Sequence, residues 1–530
     1  MPEYLSPGVY VEEIELGPRP IEGVSTSTAG FLGEALRGPL EPRLITGFEE
    51  FKRLYGGFVR RDAESGRADG IGNADLPFAI QGFFENGGQR CFVTRTTPGD
   101  AIPMTAALGG MQITAIGPGV FGNRIAAKIT DASLQDPNRP RTLFKLTLVY
   151  WDVLPNPLVD PTDPLQISNP DRREGTLTEV FDNLTDDPRS IDFYETVING
   201  SSSLIRVQRT AAGIPPNQAF GVLAQNGTIG TLPVALADYQ GKPLNPLPDG
   251  TVYKTGLLGF EQVDEIALVV APAHHAVANL TTELITHCTK LKDRFAILHS
   301  NPATDTLANV ANIRPPQDTT FAAFYFPWIK VFDPLIQQDR ILPPSGHVAG
   351  IYADTDIESG VFKAPANAVV VGATSLQFQV TKGEQDVLNP RGVNCIRIFP
   401  SRGIRVWGAR TCSTNSLWKY INVRRFFLFL AESIDEGTQW VVFEGNSERL
   451  WARVRQTIVQ FLMTQFRNGA LMGTRPEEAF FVKVDRTTMT QDDIDNGRLI
   501  CIIGVAPVKP AEFVIFRLAQ FQGGSEITEL

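Results

Sequence analysis

Cysteine is sparse in this chain. Its five residues, Cys91, Cys288, Cys395, Cys412 and Cys501, are scattered, odd in number and without a CxxC pair, so buried free thiols are a better reading than a disulfide framework. Long apolar runs are missing too. No segment holds eighteen uninterrupted apolar residues, and the opening MPEYLSPGVYVEEIELGPRP has acidic residues and prolines where a secretory leader needs a basic region and an apolar stretch. The expectation is a subunit made in the cytoplasm, with no direct membrane insertion. Basic clusters are also lacking. Forty-eight Lys plus Arg against fifty-eight Asp plus Glu leave a formal charge of −10, and no Lys/Arg-rich run of five or more stands out, which makes nucleic acid and anionic membranes poor partners. There is no GxSxG, P-loop or HExxH, and no regular repeat of the solenoid kind. Catalysis is therefore not expected, and no cofactor is implied.

What the sequence does have is enough apolar material to fold. Its 43% hydrophobic and 20% charged residues argue against extensive disorder, and 530 residues exceed what one core usually supports, giving about two to four domains. Residues 1–25 read as an arm, because Pro2, Pro7, Pro18 and Pro20 surround one short extended run from Val9 to Ile14. Up to residue 104, strand-like AGFLGEA, helices at FEEFKRLYG and LPFAIQGFFENGG, and the strand RCFVTRT make half of an α/β layer. Between 105 and 250, short β-rich runs such as FKLTLVYWDV and SLIRVQRT alternate with Pro-, Asp- and Asn-rich turns, the pattern of an inserted, mostly β domain. A strand at EIALVVAP, a helix at NLTTELITHCTKLKD and a strand at RFAILH then predict a second α/β unit. Beyond about 325 the chain is densest in apolar and aromatic residues. Helices are predicted there at LWKYINVRRFFLFLAESI and SERLWARVRQTIVQFLMTQFRN, with strands at AFFVKVD, RLICIIGVAPV and AEFVIFRLAQ.

Three segments imitate chemical sites. Gly117-Pro118-Gly119-Val120-Phe121-Gly122 matches GxGxxG, but Asn123 leads into the β-like RIAAKIT and not into the helix that a pyrophosphate needs, so a turn between strands is expected. His274 and His275, with His287 twelve residues on, form the closest metal-like grouping; neighbouring histidines on a strand would point to opposite faces and could not easily chelate one ion. Asp492-Asp493-Ile494-Asp495-Asn496-Gly497 resembles a calcium loop, yet Ile494 falls on a ligand position, and Thr490 with Asp493 reads as a short capped helix. No metal site is expected from any of them.

Two other features point outward. Alternation along Phe513-Val514-Ile515-Phe516-Arg517-Leu518 puts apolar side chains on both faces of a terminal strand, which needs pairing and cover. Pairing within its own subunit is one solution. A second strand-bearing extension at the other terminus makes strand addition between subunits the alternative. The helix opened by Ser447 gathers Leu450, Trp451, Val454, Ile458, Phe461 and Leu462 on one stripe and Arg449, Arg453 and Arg467 on another face. A solvated helix face and a docking surface both fit that pattern.

The succession Tyr325-Phe326-Pro327-Trp328, PPSGHVAGIYADTD at 343–356, KAPAN at 363–367, LNPRGVN at 388–394, RGIRVWGART at 402–411, YINVRRFF at 420–427, VFEGNSERLW at 442–451 and VAPVKPAEFVIF at 505–516 resembles the tail sheath family of contractile phage tails and phage-like injection systems. YLSPGVYVEE at the start resembles that family's N-terminal arm. The likeness covers roughly 320–520 and the first 35 residues, extends to 255–300 and fades in the insertion. It implies a mixed α/β, multidomain fold: an inner α/β domain built from both chain ends, with inserted β-rich and α/β outer domains and extended terminal arms. The divisions become 1–25 N-terminal arm, 26–104 first part of the inner domain, 105–250 β-rich outer domain, 251–345 α/β middle domain, 346–510 inner domain and 511–530 C-terminal arm. The implied function is structural: subunits polymerise as a helical or stacked-ring sheath around an inner tube protein, with baseplate and terminal cap proteins as further partners, and contraction drives the tube through a target envelope. Arm roles fall on Val9, Tyr10, Val11, Phe513, Val514, Ile515 and Phe516, and the arginine face of 449, 453 and 467 becomes the candidate tube contact. The mature location would be a phage tail or an injection particle, which can be released extracellularly.

Two rival readings keep distinct expectations. A cytoplasmic α/β enzyme would use dispersed loop residues around His274 and a 343–356 loop, and would show a pocket of convergent polar groups. Another self-assembling structural protein, of surface-layer or capsid type, would form no cylinder with a lumen sized for a tube.

Overall fold

A computed structural model describes residues 20–66, 68–135, 140–244 and 252–515. Val9, Tyr10, Val11 and Phe516 lie outside the described residues. Strand β1 (Ala29–Gly33) is buried at all five positions, as an apolar run without polar alternation should be when both faces are covered. β2 (Arg43–Ile45) leads to helices α1 (Phe48–Tyr55) and α2 (Asp62–Ser65); α3 (Leu76–Glu85) then packs Leu76, Phe78, Ile80 and Phe83 inward, and β3 (Cys91–Arg95) returns parallel to β1.

The chain next leaves this layer. Strands β4 (Thr105–Leu108), β5 (Met111–Ala115), β6 (Ile125–Asp131), β7 (Phe144–Tyr150) and β8 (Leu177–Leu184), helix α4 (Tyr194–Ser201), and strands β9 (Ile205–Arg209) and β10 (Gln218–Val222) form two antiparallel sheets, ordered β4-β5-β9 and β10-β6-β7-β8. Phe121, Phe144, Leu146, Leu148, Ile205 and Val207 give them a core separate from that of the first layer. The insertion returns beside its start: Ile102 bridges Thr228, and Asp100 accepts from the Thr231 amide (2.9 Å) and hydroxyl (2.6 Å).

After α5 (Leu236–Gln240) and α6 (Gly256–Phe260), strand β11 (Leu268–Val270) pairs in parallel with β1. Helix α7 (Leu280–Leu291) and strands β12 (Phe295–His299) and β13 (Ala322–Phe326) continue outward from it. The segment expected as a second α/β unit therefore completes the sheet begun at residue 29. β11 and β12 are buried along their whole length and can be covered on both faces only inside a wide sheet. β14 (Ile329–Asp333), β15 (Gln338–Leu342) and β16 (Ala373–Leu376) make a small antiparallel sheet, and helix α8 (Ser345–Ser359) lies between β15 and β16 along the chain. The rival reading took 343–356 as a loop, and this is a correction: Gly346 and Gly350 are small to let α8 approach α3. A Cβ on Gly346 would lie 2.3 Å from the Ala79 carbonyl oxygen, and one on Gly350 would lie 2.4 Å from that of Phe83. Following α9 (Lys382–Leu388), strands β17 (Val393–Phe399) and β18 (Gly403–Trp407) complete an eight-stranded sheet ordered β18-β17-β13-β12-β11-β1-β3-β2.

Helices α10 (Ile421–Thr438) and α11 (Glu448–Arg467) carry the last unit, with α12 (Pro476–Ala479), β19 (Phe480–Lys483), α13 (Gln491–Asp495) and β20 (Ile502–Val505). α10 joins two cores, since Ile421 and Leu428 face the large sheet while Phe426 and Leu430 meet Trp451 and Phe461 of α11. A buried ion pair, Arg425 to Asp356 of α8 at 2.9 and 2.5 Å, fixes that junction, and Arg425 also donates to the Thr26 carbonyl (2.9 Å). The strand expected at AEFVIFRLAQ is absent from the described part of that segment, 511–515.

Candidate assembly surfaces

The C-terminal extension is held at one residue and let go at the next. Glu512 accepts two hydrogen bonds from Arg410 (2.7 Å each), one from Asn389 (2.7 Å) and one from Tyr420 (3.2 Å), with Lys419 Nζ at 3.4 Å. Burial alone would raise this carboxyl, but Arg410, Asn389 and Lys419 outweigh it and bring it down to about 2. Phe513, Val514 and Ile515 then stand 71%, 69% and 79% exposed. Three consecutive large apolar side chains in water are costly to leave uncovered, and this subunit supplies no sheet partner for them among the described residues. Sequence reading picked out 513–516 but missed the Glu512 clamp; its one signal is an acidic residue at the head of an apolar run.

At the other end, residues 21–24 run along α10. Ile21 packs at Gly437, Gly23 lies under the Phe429 ring, and the Val24 amide donates to Ser433 Oγ (3.1 Å).

β19 and β20 form a two-stranded antiparallel ribbon, from Phe480 opposite Val505 to Lys483 opposite Ile502. Arg455 of α11 donates to the Val482 carbonyl and steadies it (3.2 Å). Two strands alone are marginal in water, and among the described residues no further strand pairs with either edge, with Phe481 and Ile502 exposed.

α11 follows the predicted pattern. Ser447 Oγ caps it by accepting from the Leu450 amide, and Leu450, Trp451, Val454, Ile458, Phe461 and Leu462 are all buried. Arg449, Arg453 and Arg467 are exposed. Arg453 lies over the Trp440 ring at 4.6 Å, while Arg449 and Arg467 have no ion-pair partner among the described residues. Eighteen residues apart, Arg449 and Arg467 share one angular position on a ridge about 27 Å long.

The imitated chemical sites resolve differently. Gly117-Pro118-Gly119 is a turn between β5 and β6 that passes into a 3-10 turn (Val120–Arg124), and Arg95 donates to the Pro118 carbonyl (2.8 Å), tying the insertion to the central sheet. Thr490 and Asp493 make the capping box of α13, with Gly497 in the left-handed region at φ +72°. His274 and His275 are a correction. β11 ends at Val270, so they sit in a turn where strand alternation does not apply, and both converge on His299. Among the described residues no group of three or more His, Cys, Asp or Glu is arranged to hold a metal ion.

The arrangement defines a multidomain α/β subunit whose least satisfied features are strand edges, an apolar terminus and a basic ridge. The profile of the phage tail sheath protein central domain matches residues 250–412, and that of the phage tail sheath C-terminal domain matches 413–521, without a gap and over just over half of the chain. The chain belongs to the phage tail sheath protein family. It is 27% identical over 257 residues to a putative prophage major tail sheath protein of Pseudomonas aeruginosa (strain UCBPP-PA14), covering 47% of this chain and 64% of that protein. It is 24% identical over 216 residues to the tail sheath protein of Vibrio phage KVP40, covering 40% and 31%. The matches thus span less than two thirds of these curated relatives. Among solved structures, the fold is similar to the sheath complex of the PVC extracellular contractile injection system in its contracted state (TM-score 0.57, 22% identity, 98% of this chain and 99% of that one). It is also similar to the contracted helical sheath of the anti-feeding prophage (TM-score 0.56, 24% identity, 98% and 100%).

Proposed function

We propose that this chain is the structural subunit of a contractile sheath. Copies polymerise around an inner tube, and contraction drives the tube through a target envelope. The observation that carries this reading is the pairing of opposites on one subunit: an uncovered apolar segment beyond the Glu512 clamp and a two-stranded ribbon with unpaired edges. A neighbour's arm adding strands to the β19–β20 ribbon would satisfy both at once. The residues assigned to this contact are Val9, Tyr10, Val11, Phe513, Val514, Ile515 and Phe516. Main-chain hydrogen bonds of that kind survive rigid-body rotation of the domains when prolines such as Pro507 and Pro510 flank the link, so neighbours stay joined as packing changes. The work of contraction comes from alternative subunit packings, and no nucleotide is consumed. Arg449, Arg453 and Arg467 face the inner tube, and baseplate and cap proteins close the ends of the cylinder.

Negative-stain microscopy and sedimentation of three chains test this: the full chain, one lacking residues 1–20, and one ending at Glu512, which keeps the clamp and removes the apolar extension. The full chain is expected to give rigid hollow cylinders and both truncations soluble, folded subunits. Cylinders from either truncation would sink the arm mechanism; uniform small particles from the full chain would sink the sheath reading itself.

A further inference from the structure

The three histidines that follow β11 and end β12 are wired in a single protonation state. His299 is the last residue of β12, and its backbone N–H, a permanent donor, lies 3.1 Å from His274 Nε2, so that nitrogen must be the acceptor. His274 therefore carries its proton on Nδ1 and donates it to Thr281 Oγ1 of α7 (3.0 Å), whose own hydroxyl turns back to the His274 carbonyl (3.4 Å). His299 Nδ1 is 3.0 Å from the same His274 Nε2, and only an N–H can sit there without opposing lone pairs. That leaves His299 Nε2 as an acceptor for His275 Nδ1 (3.3 Å), which also reaches the Pro272 carbonyl (3.2 Å). Trp328, after β13, closes the cluster with its ring edge-on to His275 (4.7 Å) and His299 (5.4 Å), and its indole N–H is held by the Ser300 carbonyl (2.7 Å). Among the described residues, the charged side chains felt there are Asp75 and Arg61, both acting on the half-buried His275 and with opposite sign.

We propose that this cluster is an acid-sensitive latch that holds the 271–281 turn against the carboxyl end of the central sheet. A second proton on His274 would point Nε2–H at two N–H donors of His299. On His299 it would point Nε2–H at the N–H of His275. Neither ion has a carboxylate within the cluster to receive it, and burial disfavours both, pushing His274 down to about 3 and His299 well below the ordinary range. Protons are taken up when the turn opens and the rings reach water, where they titrate near 6.5. Acidification thus favours the opened turn, and two released histidines multiply its population about 100-fold between pH 7.5 and 5.5.

Hydrogen exchange read by mass spectrometry on the purified full chain, at pH 7.5, 6.5 and 5.5 and corrected for intrinsic rates, tests the latch. Peptides covering 271–281 are expected to lose about 100-fold protection over that range while 322–326 in β13 keeps its own. In H274Q/H299N the amides retain an acceptor at the Nε2 position and a donor at the Nδ1 position but cannot ionise, so the loss of protection of 271–281 should shrink to no more than the about 10-fold that His275 alone can contribute. Unchanged protection in the natural chain, loss in step with 322–326, or an equally steep loss in the double variant would each overturn the proposal. The comparison of the two segments in the natural chain decides it even if the variant does not fold.

Discussion

Arg449, Arg453 and Arg467 keep three guanidinium groups at nearly one rotation of α11, with two of them four residues apart. Like charges at that spacing cost a few tenths of a kcal/mol; among the described residues the Arg453 stacking on Trp440 offsets part of that cost, and the ridge as a whole has a use against an acidic partner. Replacing all three with Gln should weaken co-sedimentation with inner tube and flatten its salt dependence, while changing the melting temperature little, since the relieved repulsion and the lost Arg453–Trp440 stacking are of similar size. Identical co-assembly at low and high salt would return the ridge to plain solvation. Glu512 works in the opposite way, as a partly buried charge that is fully partnered. Its carboxyl sits at about 2 in the folded chain against an ordinary 4.5, so its stabilisation is complete above about pH 4.5 and drains away as pH falls toward 2. Glu512→Gln should cost about 1–3 kcal/mol and speed proteolysis between 505 and 515, with the difference from the natural chain shrinking below pH 4. Equal cleavage rates at pH 7 would show that the clamp does not hold the extension.

Among elements, the α3–α8 contact depends on small residues. Gly82 faces the His347 ring at a built Cβ distance of 2.3 Å, and Gly346 and Gly350 face α3 backbone just as closely. Backbone cannot rotate away as a side chain can. Gly346→Ala should therefore separate the helices and cost about 1–3 kcal/mol or more, despite alanine's better helix propensity. An unchanged or raised melting temperature would mean that the close approach is not required. The β19–β20 ribbon depends on partners in a different sense. Its inner face rests on α11 through Phe480 and Val482, yet among the described residues no third strand pairs with its edges.

For the whole molecule, the chain enters and leaves the insertion at one narrow place, where Asp100 and Thr231 are already hydrogen-bonded. It has its own core, and ion pairs such as Arg206 to Glu41 tie it to the loop between β1 and β2. Glu41 keeps Arg43 at 2.9 Å when Arg206 is removed. Joining Asp100 to Thr231 through a short Gly-Ser linker should leave a folded chain that still forms cylinders, consistent with an outer position for the insertion. A folded excision variant that stays monomeric would place the insertion in the assembly contacts instead.

Local periodicity and capping were enough to determine α1, α3, α7, α10, α11 and strands β6, β7 and β9 of the insertion, because a helix or strand with one covered face writes that face into its own spacing. The stripe and ridge of α11 and the capping box at Thr490 are of this kind. Residues shared with a known family carried the functional reading over the central and C-terminal parts. Only the tertiary structure decided that β11 lies beside β1, since a strand buried on both faces has no pattern naming its neighbour. It also turned 343–356 from loop to helix, because glycines chosen for close helix contact look the same in sequence as glycines chosen for a turn. The Glu512 clamp and the convergence of His274, His275 and His299 were illegible for the same physical reason. Each is made by side chains that are distant along the chain and meet only where the sheet and its loops bring them together.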